Sequence, residues 1–431
     1  MDCIRVIGGN QLNGTIQISG AKNAALPLMI SSLLTSDTLT LENVPHLADV
    51  ELLMRILGNH GVDISVNGKR EKQKDKHSRT IHFTCRTIVD TTAVYDLVSK
   101  MRASFWVIGP LLARQGHARV SLPGGCAIGI RPIDLFIDSL TALGATMEID
   151  GGYINARAPK DGLVGTSYTF PKVSVGATQV MIMAASLAHG DTVIKNAARE
   201  PEVIDLAKCL NVMGAKISGA GSDVITIKGV SSLSGARHKV LPDRIETGTY
   251  AMAVAVSGGD VVLQNTNALL LETVIETLRQ TGVDITVLDH GIRVRRDKSN
   301  KLKAVDIVTA PFPGFPTDLQ AQFMAIMSCS SGISYVTETI FENRFMHVQE
   351  LVRLGAKISL SGQTAKVEGV EKLRAAPIMA TDLRASVSLV IAALAAQGES
   401  NISRVYHLDR GFERLEEKLR GCGALVERIV E

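Results

Sequence analysis

Aromatic residues make up only 4% of this 431-residue chain, with a single tryptophan, which argues against a surface built to stack successive nucleobases. Net charge is equally scarce. The 46 Lys and Arg against 43 Asp and Glu leave +3, too little for the broad basic footprint of a nucleic-acid binder. Any anion site must therefore be local. The six cysteines, at 3, 85, 126, 209, 329 and 422, include no Cys-x-x-Cys and no close pairing with histidine, which argues against zinc fingers and a disulfide scaffold. No basic segment followed by an apolar run opens the chain, so no secretory signal is expected, and reduced thiols then point to the cytoplasm. The longest uncharged stretch, Leu319 to Thr337, carries Gln320, Gln322, Ser328, Ser330, Ser331 and Gly332. It reads as a buried helix followed by a strand rather than a bilayer span.

What is abundant is apolar residues, 45% of the chain, and glycine, 38 residues. At about 150 residues per domain the length suggests two or three domains, of an α/β type with many tight turns. Self-similarity gives more detail. An amphipathic helical pattern ending in glycine and running into an alternating strand occurs six times, at Gly61, Gly144, Gly214, Gly282, Gly355 and Gly423, with spacings of 83, 70, 68, 73 and 68 residues. Glycine is expected at each helix C-terminus because a left-handed conformation is needed there. In phase with this runs a second, more uniformly apolar helix, as in "ATQVMIMAASLAHGDTVIKNA" and "TYAMAVAVSGGDVVLQNT". A helix apolar on nearly every face must be buried centrally, whereas the first set, with Arg55, Lys208, Arg279 and Lys418, has a wet face. The first spacing is longer by roughly 13 residues, matching the hydrophilic run Asn67 to Arg79, which reads as an exposed hairpin insertion.

Four clusters do not fit the repeat and are candidates for chemistry. Lys22 and Asn23 lie at the start of the first buried helix, where free N–H groups and the positive helix end suit a phosphate or carboxylate; a solvated lysine would leave the same pattern. Cys126 sits between Gly124, Gly125 and Gly129, with Arg131 nearby to favour the thiolate, and reads either as a reactive thiol or as an inert loop cysteine. Lys172, Ser174, Val175 and Gly176 precede another buried helix, with Ser174 equally readable as its N-cap. The last cluster is dispersed: Asp243, Arg244 and Glu246; Asp318; Glu342 and Arg344; Asp382 and Arg384; Asp409 and Arg410. Nearly all fall at corresponding joints of the repeat and are expected to converge at one end of a domain. Several guanidiniums there suit a multiply charged anion, although each acid–Arg set alone could be a structural ion pair.

The strings "GAKNAALP", "MRAS", "LPGGCAIGIRP", "KVSVGAT", "LPDRIETGT", "FPTDLQAQF", "ENRFMHV", "TDLRAS" and "DRGFERLEEKL", in this order, resemble the enolpyruvyl transferase superfamily over essentially the whole chain. The glycine-flanked cysteine loop places it with the branch that acts on UDP-N-acetylglucosamine rather than on shikimate 3-phosphate. The alternatives are the shikimate chemistry itself and a catalytically silent sugar-nucleotide-binding paralogue. Two departures from the family pattern stand out, the 67–79 insertion and Phe136 where a histidine is common, and neither is expected to touch a residue assigned to chemistry.

The resemblance implies an α/β fold of two inside-out barrels, six pseudo-repeats with buried central helices, three per domain. It implies one domain over 22–241 and a second over 1–21 and 242–431, with the active site in the cleft between them. It implies phosphoenolpyruvate and UDP-N-acetylglucosamine as substrates, no cofactor and no metal. No nucleic acid or membrane partner is expected, and the chain should be a monomer or a weak homo-oligomer. By the same resemblance Lys22, Arg131 and Arg410 hold phosphoenolpyruvate. Asn23, Arg102, Arg131, Pro132, Ile133, Asp134, Leu135, Lys172, Ser174, Val175, Gly176, Asp318 and Ile340 hold the sugar nucleotide. Cys126 donates a proton, Asp318 accepts one from the 3′-hydroxyl, and Asp382 and Arg384 position the substrates.

Overall fold

A computed structural model of the chain describes residues 2–67, 79–123 and 133–430. The second recurring pattern forms six largely buried helices: Lys22–Ile30, Ile108–Gln115, Val175–Ala185, Arg244–Ser257, Gln320–Met327 and Ser386–Ala395. In Arg244–Ser257 every residue is buried. The first pattern forms the amphipathic helices Ala48–Asn59, Asp134–Ala142, Pro201–Val212, Glu272–Gln280, Val348–Arg353 and Leu415–Gly421. Glu272–Gln280, for example, buries only Val274, Ile275, Thr277 and Leu278. Behind each of these helices stands the expected glycine, with φ between +91° and +106°, one residue past the cap position. A side chain there would be strained, so the turn into the following strand depends on glycine.

Among the described residues the strands form six separate four-stranded sheets with one shared plan. The strand that follows a buried helix takes a short parallel strand on one side and an antiparallel hairpin on the other. Asp191–Lys195, for instance, pairs in parallel with Ser167–Thr169 and antiparallel with Val224–Lys228, which pairs with Lys216–Ser218. None of the sheets closes on itself, so the architecture is mixed α/β with several open sheets. Three sheets recruit a strand distant in sequence. Ala236–Lys239 lies in parallel beside Thr38–Val44, and Leu12–Gln17 beside Gly259–Gln264. Cys3–Ile7 inserts antiparallel between Glu399–Ser403 and Leu425–Ile429.

Contacts divide the chain into two compact units, and the division falls between Ser19 and Gly20 and between Leu241 and Pro242. Each unit has its own apolar core and three of the six sheets. Asp63–Asn67 and Arg79–Thr84 pair antiparallel, with Asn67 opposite Thr80, while the rest of the hydrophilic insertion, 68–78, lies outside the described residues. No helix among the described residues is long and apolar enough to cross a membrane.

One expectation about the amphipathic helices fails. Lys418 does not face water; its side chain is 7% exposed and its Nζ lies 2.6 Å from Glu246 Oε1, itself on an all-buried helix. Lys418 also donates to Ser19 Oγ at 2.8 Å, Ser19 N donates to Glu246 Oε2 at 2.7 Å, and Ser19 Oγ donates to Glu413 Oε2 at 2.6 Å. Burial pushes the Glu246 carboxyl above the usual carboxylate range, and the ammonium pulls it back. This network fastens the end of the N-terminal segment to the unit formed with residues 242–430. Replacing Lys418 by Met strands a buried carboxylate, and the expected loss is about 3 kcal/mol of unfolding free energy. Denaturant titration checks this, and Lys418→Met combined with Glu246→Gln should recover more than half of it.

Candidate active site

The first turns of helices carry N–H groups without intrahelical partners and the positive end of the helix dipole. In the unit that spans 20–241, the sequence-predicted residues sit at such starts. Lys22 is the first residue of Lys22–Ile30, 8% exposed, with Nζ 3.3 Å from Asp49 Oδ2. Half-buried Asn23 follows it, and half-buried Arg102 opens the 3₁₀ turn Arg102–Val107 that leads into Ile108–Gln115. Lys172 is exposed, and Ser174 caps Val175–Ala185, its Oγ accepting from Ala177 N at 3.4 Å. Ile133 precedes Asp134–Ala142, at whose start Asp134 is exposed and Leu135 buried. Cys126, Arg131 and Pro132 lie outside the described residues.

Gly176 is tightly faced by two rings: a Cβ would come to 3.0 Å from the Trp106 ring and 3.1 Å from the Phe136 ring, so both would have to give way to a side chain. Phe136 also packs edge-on against Phe105, with ring centroids 5.5 Å apart. The expectation that Phe136 stays clear of the assigned residues is therefore corrected. Its ring forms one wall against Gly176.

In the other unit the acid–Arg sets come together in part. Asp243 caps Arg244–Ser257, its Oδ1 accepting from Ile245 N at 2.8 Å and Glu246 N at 2.9 Å. Asp382 Oδ1 likewise accepts from Arg384 N and Ala385 N, both at 2.8 Å. Asp318 lies in the 3₁₀ turn Thr317–Leu319 that opens Gln320–Met327. Arg384, 3% exposed, sets Nε 3.6 Å from Asp318 Oδ2 and a terminal nitrogen 3.8 Å from Asp243 Oδ2. Arg344, 4% exposed, donates to Asp318 Oδ1 at 2.7 Å and to Thr317 Oγ1 at 2.9 Å. Arg384 also donates to Gly411 O at 3.2 Å, which ties the turn carrying half-buried Arg410 to the same cluster. Asp318 is thus flanked by two guanidiniums, a carboxylate aimed by its neighbours and suited to accept from a hydroxyl.

Two members of these sets go elsewhere. Glu246 belongs to the Lys418 network, and Asp409 accepts from Arg428 at 2.5 and 3.0 Å, so both are structural ion pairs. Glu342 is exposed. Three polar residues escaped sequence reasoning. Asp49, the partner of Lys22, looked like an ordinary first-turn acid of an amphipathic helix. Glu338 is fully buried beside half-buried Ile340; the strand Ile333–Thr337 buries Ser334 and Val336, and the same alternation carried one step further puts position 338 inside. His347 is fully buried near Asp382 and Arg344.

Burial lowers the His347 imidazole to about 4, with Arg344 adding to the effect and Asp382 opposing it. The unfolded chain takes up this proton near 6.5 and the folded chain only near 4, so its contribution to stability is complete above 6.5 and is lost as pH falls toward 4. Unfolding free energy measured against pH over that window should fall, and His347→Gln should flatten the slope. Gly176→Ala, which drives a methyl group into Trp106 and Phe136, is expected to cost about 1–3 kcal/mol, read as a lowered melting temperature.

The family model described as EPSP synthase (3-phosphoshikimate 1-carboxyvinyltransferase) matches residues 6–419. A Rhizobium etli protein named UDP-N-acetylglucosamine 1-carboxyvinyltransferase is 79% identical over 431 residues, covering 100% of both chains. One of the same name from Agrobacterium fabrum is 77% identical over 429 residues, again covering 100% of each. Among solved structures, the enolpyruvyl transferase NikO from Streptomyces tendae matches with a TM-score of 0.85 at 22% identity, over 100% of this chain and 99% of that one. The EPSP synthase from Acinetobacter baumannii matches with a TM-score of 0.75 at 19% identity over 100% of both. At such identities the two structures speak for the fold alone. The family model and the full-length relatives together place the chain in the EPSP synthase family, the enolpyruvyl transferases.

Proposed function

We propose that this chain transfers the enolpyruvyl group of phosphoenolpyruvate to the 3′-hydroxyl of UDP-N-acetylglucosamine and releases phosphate, the first committed step of peptidoglycan synthesis in the cytoplasm. The observation that carries this reading is the end-to-end identity of 79% to a protein named for that reaction. The family model carries the name of the shikimate enzyme, but the "LPGGCAIGIRP" loop and "KVSVGAT" belong to the sugar-nucleotide branch by resemblance. In this reading each unit is an inside-out barrel, three buried helices wrapped by three open sheets.

The chemistry assigns roles by charge and proton balance. Phosphoenolpyruvate carries a carboxylate and a phosphate that repel one another, and Lys22, Arg131 and Arg410 answer both charges. Asn23, Arg102, Arg131 to Leu135, Lys172 to Gly176 and Ile340 hold the sugar nucleotide, and Asp382 and Arg384 position the reacting groups. Asp318 accepts the 3′-hydroxyl proton as the oxygen attacks the substituted carbon of the enol, while the Cys126 thiol delivers a proton to the methylene carbon. The resulting ketal loses phosphate, and a proton leaves the new methyl group to restore the double bond. Asp318 suits the first step because Arg344 and Arg384 fix its orientation.

A phosphate-release assay with phosphoenolpyruvate and each acceptor in turn tests the reading. Release is expected with UDP-N-acetylglucosamine and not with shikimate 3-phosphate; release with neither, despite nucleotide binding, would mark a silent paralogue. Asp318→Ala should bind the nucleotide and turn over at least about a hundredfold more slowly, in line with loss of a general base. Cys126→Ser should likewise lose most turnover.

A further inference from the structure

Glu338 is fully buried and not claimed by the proposed chemistry, yet its carboxylate accepts four hydrogen bonds close to Asp318. Its Oε1 accepts from Thr309 Oγ1 at 2.9 Å, from Ile340 N at 2.8 Å and from Phe341 N at 3.1 Å. Its Oε2 accepts from Thr317 Oγ1 at 2.8 Å. A carboxylate held by four donors has one orientation, and a buried one is tolerated only when its acceptor capacity is met in this way. Thr317 is the residue before Asp318. Its hydroxyl has one proton, which goes to Glu338, so only a lone pair is left to face Arg344, whose guanidinium donates to it at 2.9 Å. The other arm of the same fork donates to Asp318 Oδ1 at 2.7 Å.

We infer that Glu338 is a positioning residue of the reaction: through Thr317 it sets the fork of Arg344 that aims Asp318, and through Ile340 N it sets the backbone of a nucleotide contact. This rests on the function proposed above. One carboxylate thereby fixes two features that the reaction needs in register, the acceptor of the hydroxyl proton and a stretch of backbone beside the sugar nucleotide. A glutamine cannot substitute. With its amide nitrogen toward Thr317 it reverses the hydroxyl and turns a proton toward Arg344; with the nitrogen on the other side it opposes the two backbone N–H groups. Misaiming a reacting group by a fraction of an ångström reduces turnover without removing any substrate contact.

Thr317→Val, Thr317→Ser and Glu338→Gln, each made in the wild-type and in the Asp318→Asn background, test this with kcat, both KM values and thermal midpoints. Thr317→Val should lower kcat at least about tenfold with the KM for phosphoenolpyruvate changed less than about twofold, and Thr317→Ser should restore kcat to within about twofold. At saturating UDP-N-acetylglucosamine neither Thr317→Val nor Glu338→Gln should reduce the residual kcat of Asp318→Asn, because the group they aim is already disabled; the Ile340 arm shows instead as a raised KM for the nucleotide with Glu338→Gln in both backgrounds. Glu338→Gln carries the test if Thr317→Val does not fold. Wild-type kcat in a folded Thr317→Val or Glu338→Gln protein overturns the inference, as does an equal loss in both backgrounds. If the wild-type protein itself releases no phosphate, the functional reading fails instead, a result separate from either of these.

Discussion

Helices that are apolar on every side can be stable in water only when something encloses them, and most of this structure answers that need. Fully burying one Leu, Ile or Met side chain is worth about 1.5–3 kcal/mol, and Arg244–Ser257, Val175–Ala185 and Ser386–Ala395 bury such residues on all faces. Their flanks are occupied by sheets and amphipathic helices, so only their ends are left for polar chemistry. The unpaired N–H groups of the first turn must then be met by side chains, and Asp243, Asp382 and Ser174 do so. Candidate site residues gather at helix starts because enclosure leaves no other polar place on these elements.

Buried charge is handled in two ways. The Glu246–Lys418–Ser19 network closes on itself: each partner is spoken for, and its effect is to hold a chain segment in place. The cluster around Asp318 alternates in sign, with Asp243, Arg384, Asp318 and Arg344 in sequence, at distances from 2.7 to 3.8 Å. Contacts of 3.6 and 3.8 Å are ion pairs without tight hydrogen bonds. Such an arrangement keeps several charges oriented by one another.

The repeat was readable because its two helix types differ in what they do with every third or fourth residue, and because glycine marks each exit with a backbone conformation other residues resist. Pairing at long range was not readable. Nothing local in Cys3–Ile7 says that it lies between Glu399–Ser403 and Leu425–Ile429. Lys418 was misread for a related reason: on an amphipathic helix a lysine normally marks the wet face, and only a carboxylate brought from Glu246 makes an inward one tolerable. Asp409 stands beside Arg410 in sequence but pairs with Arg428 in space. Lys22, Asp318 and Arg410 stood out by type and position, whereas their separate roles came from family resemblance. Glu338 could have been found by extending the strand alternation one step past its end.

The strand Cys3–Ile7 has a consequence for synthesis. Among the described residues, strands from Thr38–Val44 to Ala236–Lys239 pair only among themselves, so these sheets have all their strands once position 239 has left the ribosome. The first strand must wait for Glu399–Ser403 and Leu425–Ile429, nearly the whole chain later. At about 5–20 residues per second of elongation, a strand with the alternating pattern Ile4 and Val6 inward stays unpaired for tens of seconds. This strand therefore stays without its sheet partners while the unit from 20 to 241 already has its own.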